Sequence, residues 1–319
     1  MTALRKYLTL NSGRRIPTVG LGTYLMNNDV LREALDYALY IGYRHIDTAL
    51  SYGNEVEIGD VVASRIKDGT VKRTDLFITT KIPPVYLGYK DCLESAEKSL
   101  DNLKLKNVDM LLIHHPCGKP NRGDGNLNPL DEKGERELAS YDILRTWNAM
   151  EKLVGENRTV HIGLSNCQPT VINKIWKAAK IKPSNLQLEC HAYLQQNELG
   201  KLCRDKGIIM TSYGALGAMT RPDQNGNHPV LLDDPVIKEI ASRINRTPGE
   251  VVLNFVALLN RGILPKSQTK VRLKQNIGVL DWCLSQEDIK LIKNLDRNVK
   301  YFDFPWAKNH PDYVPNEPF

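Results

Sequence analysis

The chain has 319 residues, of which 41% are hydrophobic and 25% charged, and 43 basic against 37 acidic side chains give a net charge of +6. This composition is typical of globular proteins and excludes a disordered chain. A surplus this small, without a block of like charges, also excludes the clustered basic surface of a nucleic-acid-binding protein. The length permits two average domains or one large barrel.

The sequence predicts neither a signal peptide nor a membrane span. Residues 1–6 contain no apolar segment, and the longest apolar run, residues 251–259, is interrupted by Asn254 and far shorter than a span. The six cysteines show no C-x-x-C pair and no zinc spacing, which indicates free thiols in a reducing compartment. We therefore expect a cytoplasmic protein with no membrane or nucleic-acid partner.

Short apolar runs of strand type alternate with amphipathic helical patterns along the chain. An N-terminal hairpin is predicted from residues 7–10 and 15–18. The strands that follow are predicted at residues 19–21, 43–46, 76–80, 108–114, 160–164, 185–188, 208–212 and 262–264. Helices are predicted at residues 30–41, 54–67, 90–103, 141–156, 170–180, 194–205 and 247–259, the last of which begins with a capping box, Thr247-Pro248-Gly249-Glu250. Long loops are predicted at residues 117–140 and 218–234, and a tail after Asn298.

Alternating strands and helices predict parallel strands joined by right-handed crossovers. Because nearly all eight strands are too apolar to face water on either side, a closed barrel fits them better than an open sheet. A doubly wound sheet is the alternative, but Gly20-Leu21-Gly22 lacks the third glycine of its fingerprint. We predict an α/β fold, an eight-stranded parallel (β/α)8 TIM barrel with an N-terminal β-hairpin, long βα loops and a C-terminal tail, in a single domain over residues 1–319.

Four polar residues follow adjacent predicted strands, at the barrel end where active sites lie. Asp47 follows the second strand with Tyr52 in the next loop, Lys81 follows the third strand, and His114 ends the fourth. An ammonium lowers the pKa of a nearby phenol, so Lys81 is expected to lower the pKa of Tyr52 while Asp47 keeps Lys81 charged. His114 could hold a substrate oxygen. A structural ion pair, a loop tyrosine and a core histidine are the alternative readings, but four such residues together favour a proton-delivery site.

The chain resembles the aldo-keto reductase family, most closely the aldose and aldehyde reductases and the hydroxysteroid dehydrogenase branch. The resemblance rests on eight segments in family order: Gly20-Leu21-Gly22-Thr23, Tyr43-Arg44-His45-Ile46-Asp47, Ser51-Tyr52-Gly53-Asn54-Glu55, Thr80-Lys81, Leu112-Ile113-His114, Ile162-Gly163-Leu164-Ser165-Asn166, Gln187-Leu188-Glu189 and Leu264-Pro265-Lys266-Ser267. It implies a monomeric barrel that binds NADPH/NADP+ without a Rossmann domain and reduces the carbonyl of a small molecule to an alcohol.

The resemblance also implies a role for each site residue. Tyr52 would be the general acid, Lys81 and Asp47 would tune it, and His114 would orient the carbonyl. Ser165, Asn166 and Gln187 would hold the carboxamide of the nicotinamide, and Tyr213 would stack on its ring. The implied cofactor-binding residues are Gly22, Thr23, Tyr24, Asp47, Ser165, Asn166, Gln187, Tyr213, Gly214, Leu216, Gly217, Lys266, Ser267, Gln268, Thr269, Arg272, Gln275 and Asn276, and the implied substrate-binding residues are Tyr24, Tyr52, His114, His115, Phe302 and Phe304.

The eighth strand runs into a basic segment, Lys266-Ser267-Gln268-Thr269-Lys270-Val271-Arg272, just before a helical stretch. Cations, hydroxyls and a helix N-terminus together predict an anion site, with a solvated basic loop as the alternative. A phosphate on the adenosine ribose would pair with Lys266 and Arg272, which favours NADPH over NADH.

The sequence departs from the family pattern around the expected pocket. His115 stands where the family usually has Trp, Tyr24 stands where many aldose-type members have Trp, and Pro83 replaces an aromatic, so fewer large apolar walls are expected. The tail aromatics either restore that surface or pack on the barrel: Tyr301, Phe302, Phe304 and Trp306. Because successive strand side chains point to opposite faces, His114 and His115 are not expected to share a metal.

Two other functions remain open from the sequence. One is a low-turnover NADP(H)-binding regulatory or structural protein on the same scaffold, which the intact set of Asp47, Tyr52, Lys81 and His114 disfavours. The other is an isomerase or aldolase with a Schiff base on Lys81, which pairing of Lys81 with Asp47 disfavours. His114 stands where relatives that reduce steroid double bonds carry Glu, and it therefore favours carbonyl reduction.

Overall fold

A computed structural model of the protein describes residues 4–217, 229–315, 317 and 318. Within them, a two-stranded antiparallel hairpin precedes an eight-stranded parallel sheet. The hairpin strands are β1 (Tyr7–Thr9) and β2 (Arg15–Pro17). The sheet strands, each paired with the next in chain order, are β3 (Leu21–Gly22), β4 (His45–Asp47), β5 (Phe77–Ile82), β6 (Val108–Ile113), β7 (Thr159–Ser165), β8 (Asn185–Glu189), β9 (Ile209–Tyr213) and β10 (Gly262–Ile263).

The first and last strands of the sheet meet and close it. A parallel bridge joins Val19 to Ile263, whose N–H donates to the Thr18 carbonyl at 2.7 Å and whose carbonyl accepts from the Gly20 N–H at 2.9 Å. A Cβ at Gly22 would lie 2.8 Å from the Leu264 carbonyl oxygen, so glycine permits the close approach at this seam. The predicted barrel is confirmed.

The helices follow the strands in the alternation that the sequence predicts. In the described part of the chain they are α1 (Asn28–Tyr40), α2 (Glu55–Lys67), α3 (Tyr89–Leu103), α4 (Ile143–Gly155), α5 (Pro169–Ala178), α6 (Asn197–Lys206), α7 (Pro235–Arg243), α8 (Pro248–Leu258), α9 (Lys270–Ile277) and α10 (Gln286–Lys293). The capping box of α8 is confirmed, since Thr247 Oγ1 accepts from the Glu250 N–H at 3.3 Å and the Glu250 carboxylate accepts from the Thr247 N–H at 2.9 Å. None of these helices is long and apolar enough to cross a membrane.

Predicted and observed elements differ mainly at their ends and after β9. The predicted strand at 108–114 ends one residue earlier, at Ile113, and the predicted helix at 194–205 begins only at Asn197. Two helices were not predicted, α7 and α10. The predicted loop at 218–234 lies outside the described residues up to 228 and ends in a 3₁₀ turn, Leu231–Asp233.

The predicted hairpin is present and closes the floor of the barrel. Its apolar side chains pack in one buried cluster with residues at the start and middle of β5 and β6: Leu8, Leu10, Ile16, Phe77, Met110 and Leu112. A larger cluster fills the space between the strands and the surrounding helices. With the floor sealed, the C-terminal rim is the end where strand-end side chains can meet a ligand.

Candidate active site

The C-terminal ends of β4, β5 and β6 bring the four residues of the candidate tetrad (Asp47, Tyr52, Lys81 and His114) to one rim of the barrel. Asp47 is the last residue of β4, Lys81 lies near the end of β5, and His114 follows β6 directly. Tyr52 ends a 3₁₀ turn, Leu50–Tyr52, that follows β4. The parallel register pairs Asp47 with Thr79 and Lys81 with Leu112, so the ends of the three strands lie side by side at this rim.

The Lys81 ammonium is fully buried and donates to three oxygens. Its Nζ lies 2.6 Å from Asp47 Oδ1, 2.8 Å from the Thr48 carbonyl oxygen and 3.1 Å from the Tyr52 hydroxyl. Gln187 Nε2 donates to the second carboxylate oxygen of Asp47, at 2.6 Å. The sequence did not predict the Thr48 contact, since a main-chain acceptor has no sequence signal, or the bond from Gln187 to Asp47, which only the closed barrel brings together.

Burial dominates the acid–base properties of this chain of groups. Burial raises the pKa of the Tyr52 phenol well above its usual value, and the negative charge of Asp47 adds to the rise. Burial lowers the pKa of Lys81, while Asp47 opposes that change. The predicted lowering of the Tyr52 pKa was therefore wrong for the protein alone, because desolvation outweighs the ammonium. The neutral phenol that results carries a proton to give, next to an ammonium that donates to the same oxygen.

His114 is held by contacts on both its ring and its main chain. Its Nδ1 lies 3.2 Å from Ser51 Oγ, and its carbonyl oxygen accepts from Asn166 Nδ2 at 2.8 Å. The ring meets the Tyr52 ring edge-on, with 5.6 Å between centroids. Burial lowers the pKa of His114 well below its usual value, and the charge of Lys81 acts in the same direction. The imidazole is therefore neutral at physiological pH, and Ser51 is a contact that the sequence did not predict.

The residues predicted to hold a carboxamide lie at neighbouring strand ends. Ser165 ends β7 and is paired in register with Gln187 of β8. Asn166 follows Ser165 with φ 53°, a left-handed conformation that asparagine tolerates. Asn166 Oδ1 accepts from the Tyr213 hydroxyl at 2.7 Å, while Asn166 Nδ2 donates to the His114 carbonyl oxygen. Asn166 thus connects the end of β9 to the residue that follows β6.

The C-terminal tail lies against the end of β9. The Glu189 carboxylate accepts the main-chain N–H groups of Tyr301 at 2.7 Å and Phe302 at 3.1 Å. The Phe302 ring packs edge-on against Tyr213, with 5.3 Å between centroids. A Cβ at Gly214 would lie 2.8 Å from this phenyl ring. The tail was expected either to add aromatic surface to the site or to pack on the barrel, and Phe302 lies at the rim of the predicted site. Leu216 and Gly217, in the turn that follows Gly214, are half-buried.

The turn after β3 adjoins the tetrad on its other side. The N–H and the hydroxyl of Thr23 both donate to the Asp47 carbonyl oxygen, at 3.1 and 2.9 Å. Tyr24 is 37% exposed, and its ring centroid lies 5.1 Å from that of Tyr52. The predicted substrate contact, Tyr24, is therefore at the open side of the candidate general acid.

The predicted anion site lies beyond β10, next to the turn after β3. The Gly22 N–H donates to the Pro265 carbonyl at 3.3 Å. No side chain caps the N-terminus of α9, which begins at Lys270 after the exposed Thr269. The remaining predicted residues of this segment are exposed at Lys266, Gln268 and Arg272, half-buried at Gln275 and buried at Ser267 and Asn276.

Tail aromatics also cover the residue that follows the tetrad histidine. His115 is only 3% exposed, and its ring centroid lies 5.2 Å from that of Phe304 and 4.8 Å from that of Trp306. Burial lowers the pKa of His115 to about 3, and the charge of Lys119 adds to the fall. His115 is thus a neutral part of an aromatic wall. Over the described residues, His, Cys, Asp and Glu side chains form no group of three or more that could hold a metal.

The C-terminal rim of the barrel thus carries a buried carboxylate, ammonium and phenol in contact with one another, beside a neutral histidine. A model of the aldo/keto reductase family matches residues 18–297, and the chain belongs to that family. Prostaglandin F synthase 1 of Bos taurus is 40% identical over 318 residues, which cover 97% of each chain. Aldo-keto reductase family 1 member A1 of Gallus gallus is 36% identical over 329 residues, which cover 100% of each chain.

A solved structure of the same family has the same fold as this chain. The aldose reductase from Schistosoma japonicum superposes with a TM-score of 0.90 at 34% identity, covering 100% of both chains. The protein is therefore an enzyme of a family whose members act on carbonyl and alcohol groups with a nicotinamide cofactor.

Proposed function

We propose that the protein is an NADPH-dependent reductase that converts aldehydes and ketones of small molecules to alcohols, with Tyr52 as its general acid. One observation carries the proposal. The Tyr52 hydroxyl lies 3.1 Å from the fully buried ammonium of Lys81, which lies 2.6 Å from the Asp47 carboxylate. A buried phenol–lysine pair at the open rim, beside a neutral imidazole, suits proton delivery to a developing alkoxide.

The residues present fit a nicotinamide dinucleotide at both ends of the rim. At one end, Asn166 and Gln187 offer amide groups close to His114 and Asp47, and the half-buried Tyr213 ring offers a face for stacking. At the other end, the uncapped N-terminus of α9 lies between exposed cations, Lys266 and Arg272, which form no ion pair with any described residue. Such an end suits a ribose phosphate, which supports NADPH over NADH.

When bound, the cofactor supplies the hydride that reduces the carbonyl carbon. His114 and Tyr52 act on the carbonyl oxygen. In the tautomer that carries its proton on Nε2, the neutral His114 ring accepts from Ser51 Oγ at Nδ1 and donates from Nε2 to that oxygen, which orients the carbonyl. Tyr52 transfers its hydroxyl proton to the same oxygen, so that an alcohol and a phenolate result.

Lys81 and Asp47 make this proton transfer favourable. The Lys81 ammonium donates to the Tyr52 oxygen, and this hydrogen bond strengthens as the oxygen becomes negative. The Asp47 carboxylate accepts from Lys81 and keeps it charged although it is buried. The cation therefore stabilises the transition state more than the neutral phenol, as catalysis requires.

The experiment that tests the proposal follows NADPH absorbance with 4-nitrobenzaldehyde for the unaltered enzyme and Tyr52→Phe. We expect kcat to fall by about 100-fold or more in the variant, since it lacks the acid proton, while NADPH binding, measured by fluorescence titration, is retained. Full activity of Tyr52→Phe would refute the role of Tyr52 as the acid. Tight NADPH binding without turnover by the unaltered protein would instead identify a cofactor-binding protein on the same scaffold.

We also propose that the enzyme is monomeric, cytoplasmic and formed by one domain, each as predicted from the sequence. Sedimentation of the purified chain tests the first of these properties, and a single cooperative unfolding transition supports the last.

A further inference from the structure

Lys119 lies in the loop after β6 and is one of the few buried lysines of the described chain. It is 4% exposed, and its ammonium lies 4.5 Å from the centroid of the Trp306 ring. The same indole packs on His115, with 4.8 Å between centroids, and His115 adjoins His114 of the tetrad. The Trp306 indole therefore connects the Lys119 ammonium to the residue that follows the proposed carbonyl-orienting histidine.

Among the described residues, the Lys119 charge has no counter-charge. Its Nζ donates to Asn128 Oδ1 at 2.8 Å, which uses one of three N–H donors, and no described carboxylate forms an ion pair with it. Arg136 donates to the same amide oxygen, so two cations share one neutral acceptor. Burial lowers the pKa of Lys119 to about 8, and Arg136 adds to the fall. Buried charges in proteins are ordinarily paired, and no carboxylate of the described part of the chain pairs with this ammonium.

The main chain of Lys119, rather than its ammonium, fixes the loop. Its N–H donates to the Pro84 carbonyl at 3.1 Å, and its carbonyl accepts from the Tyr141 hydroxyl at 3.1 Å. A neutral side chain of similar length could still pack under Trp306, although it would lose the cation–π contact and the hydrogen bond to Asn128. Neither contact neutralises the positive charge.

We infer that Lys119, supported by Arg136, binds an anionic group on the carbonyl substrate, so that the enzyme prefers aldehydes and ketones that carry a carboxylate. This inference rests on the proposed carbonyl reduction and assigns its substrate class. Because the Lys119 side chain is already largely buried, an arriving carboxylate can accept from the two N–H donors that no described residue engages, at little further cost in the hydration of the lysine.

The test compares 4-carboxybenzaldehyde with the uncharged 4-nitrobenzaldehyde in the full-length enzyme. In Lys119→Met, the ratio of the two kcat/KM values, carboxylate over neutral, is expected to fall by about tenfold or more through the KM of the carboxylate. Lys119→Arg should retain most of the ratio. Lys133→Met, which removes the same charge from an exposed position of the same loop, is the matched control and should not change it.

An unchanged ratio in Lys119→Met, or an equal fall in Lys133→Met, would overturn the inference. Loss of activity toward both aldehydes alike would assign the lysine to the stability of loop and tail. Calorimetric binding of the product-like anion 4-(hydroxymethyl)benzoate does not require turnover. Weaker binding of this anion by Lys119→Met supports the anion site, whether or not the aldehydes are reduced. Absence of reduction of both aldehydes would refute only the proposed activity. Equal binding by the unaltered enzyme and the variant would overturn the anion site.

Discussion

Replacing Lys81 by methionine separates the stability of the buried ion pair from its catalytic effect. The substitution keeps the length of the side chain but removes hydrogen bonds to Asp47, Thr48 and Tyr52 at 2.6, 2.8 and 3.1 Å. The Asp47 carboxylate, whose side chain is 5% exposed, keeps only the Gln187 amide as a side-chain partner. Removing one member of such a pair costs about 3–5 kcal/mol of unfolding free energy. We also expect kcat to fall by about 100-fold or more, because the Tyr52 phenolate loses its cation.

The double variant Asp47→Asn/Lys81→Met distinguishes these two effects. With neither charge buried, most of the lost unfolding free energy should return, whereas kcat should stay low because no ammonium faces Tyr52. Urea denaturation measures the first quantity, and NADPH consumption at saturating 4-nitrobenzaldehyde measures the second. If kcat recovers together with stability, or if Lys81→Met retains full kcat, the argument that the ammonium stabilises the phenolate is refuted.

Two further predictions concern the anion site and the barrel core. Arg272→Ala should raise the KM for NADPH by about tenfold and leave the KM for NADH nearly constant, since only NADPH carries the ribose phosphate. Lys274→Ala on the same helix is the control. An unchanged ratio of the two KM values in Arg272→Ala would contradict the assignment. Burial lowers the pKa of His45 to about 4, below its unfolded value near 6.5, so its stabilising effect is complete above pH 6.5 and is lost as pH falls toward 4. From pH 7 to pH 5 this residue should remove about 2 kcal/mol of unfolding free energy. In denaturant titrations between pH 7 and pH 5, the unfolding free energy of His45→Gln should depend less on pH than that of the unaltered protein. An equal pH dependence in the two proteins would show that groups other than His45 cause it.

The barrel could be predicted because its evidence is local. Apolar runs, caps and the residues at strand ends recur within a few positions of each other, and closure then follows from the number and burial of the strands. The helices α7 and α10 had readable signals that the apolar periodicity did not reveal. Asp234 precedes Pro235 and accepts from the Val236 N–H at 2.9 Å, and Ser285 caps α10 by accepting from the Asp288 N–H at 3.1 Å. Caps predict these short helices better than periodicity does.

The properties of the site that could not be predicted depend on contacts between distant residues. The pKa of Tyr52 rises rather than falls because the folded chain removes the phenol from water, and no spacing in the sequence reports that burial. Lys119 belongs to a polar stretch that suggests a solvated loop, yet Trp306 of the tail covers it. His115 suggests an additional titratable group, yet Phe304 and Trp306 hold it neutral. In each case the identity of the residue was readable and its electrostatic state was not.

One residue joins the proposed acid to the proposed cofactor site. Both carboxylate oxygens of Asp47 are engaged, one by Lys81 and the other by the Gln187 amide nitrogen. The side-chain oxygen Oε1 of Gln187 accepts no hydrogen bond from the described residues, and a carboxamide N–H is the complement of such an acceptor. Orientation of Gln187 by Asp47 therefore fixes which group it presents to a nicotinamide. In the proposed mechanism, the ion pair that sets the charge beside Tyr52 would also set the direction of a cofactor contact, so that one carboxylate would align the proton donor and the hydride donor.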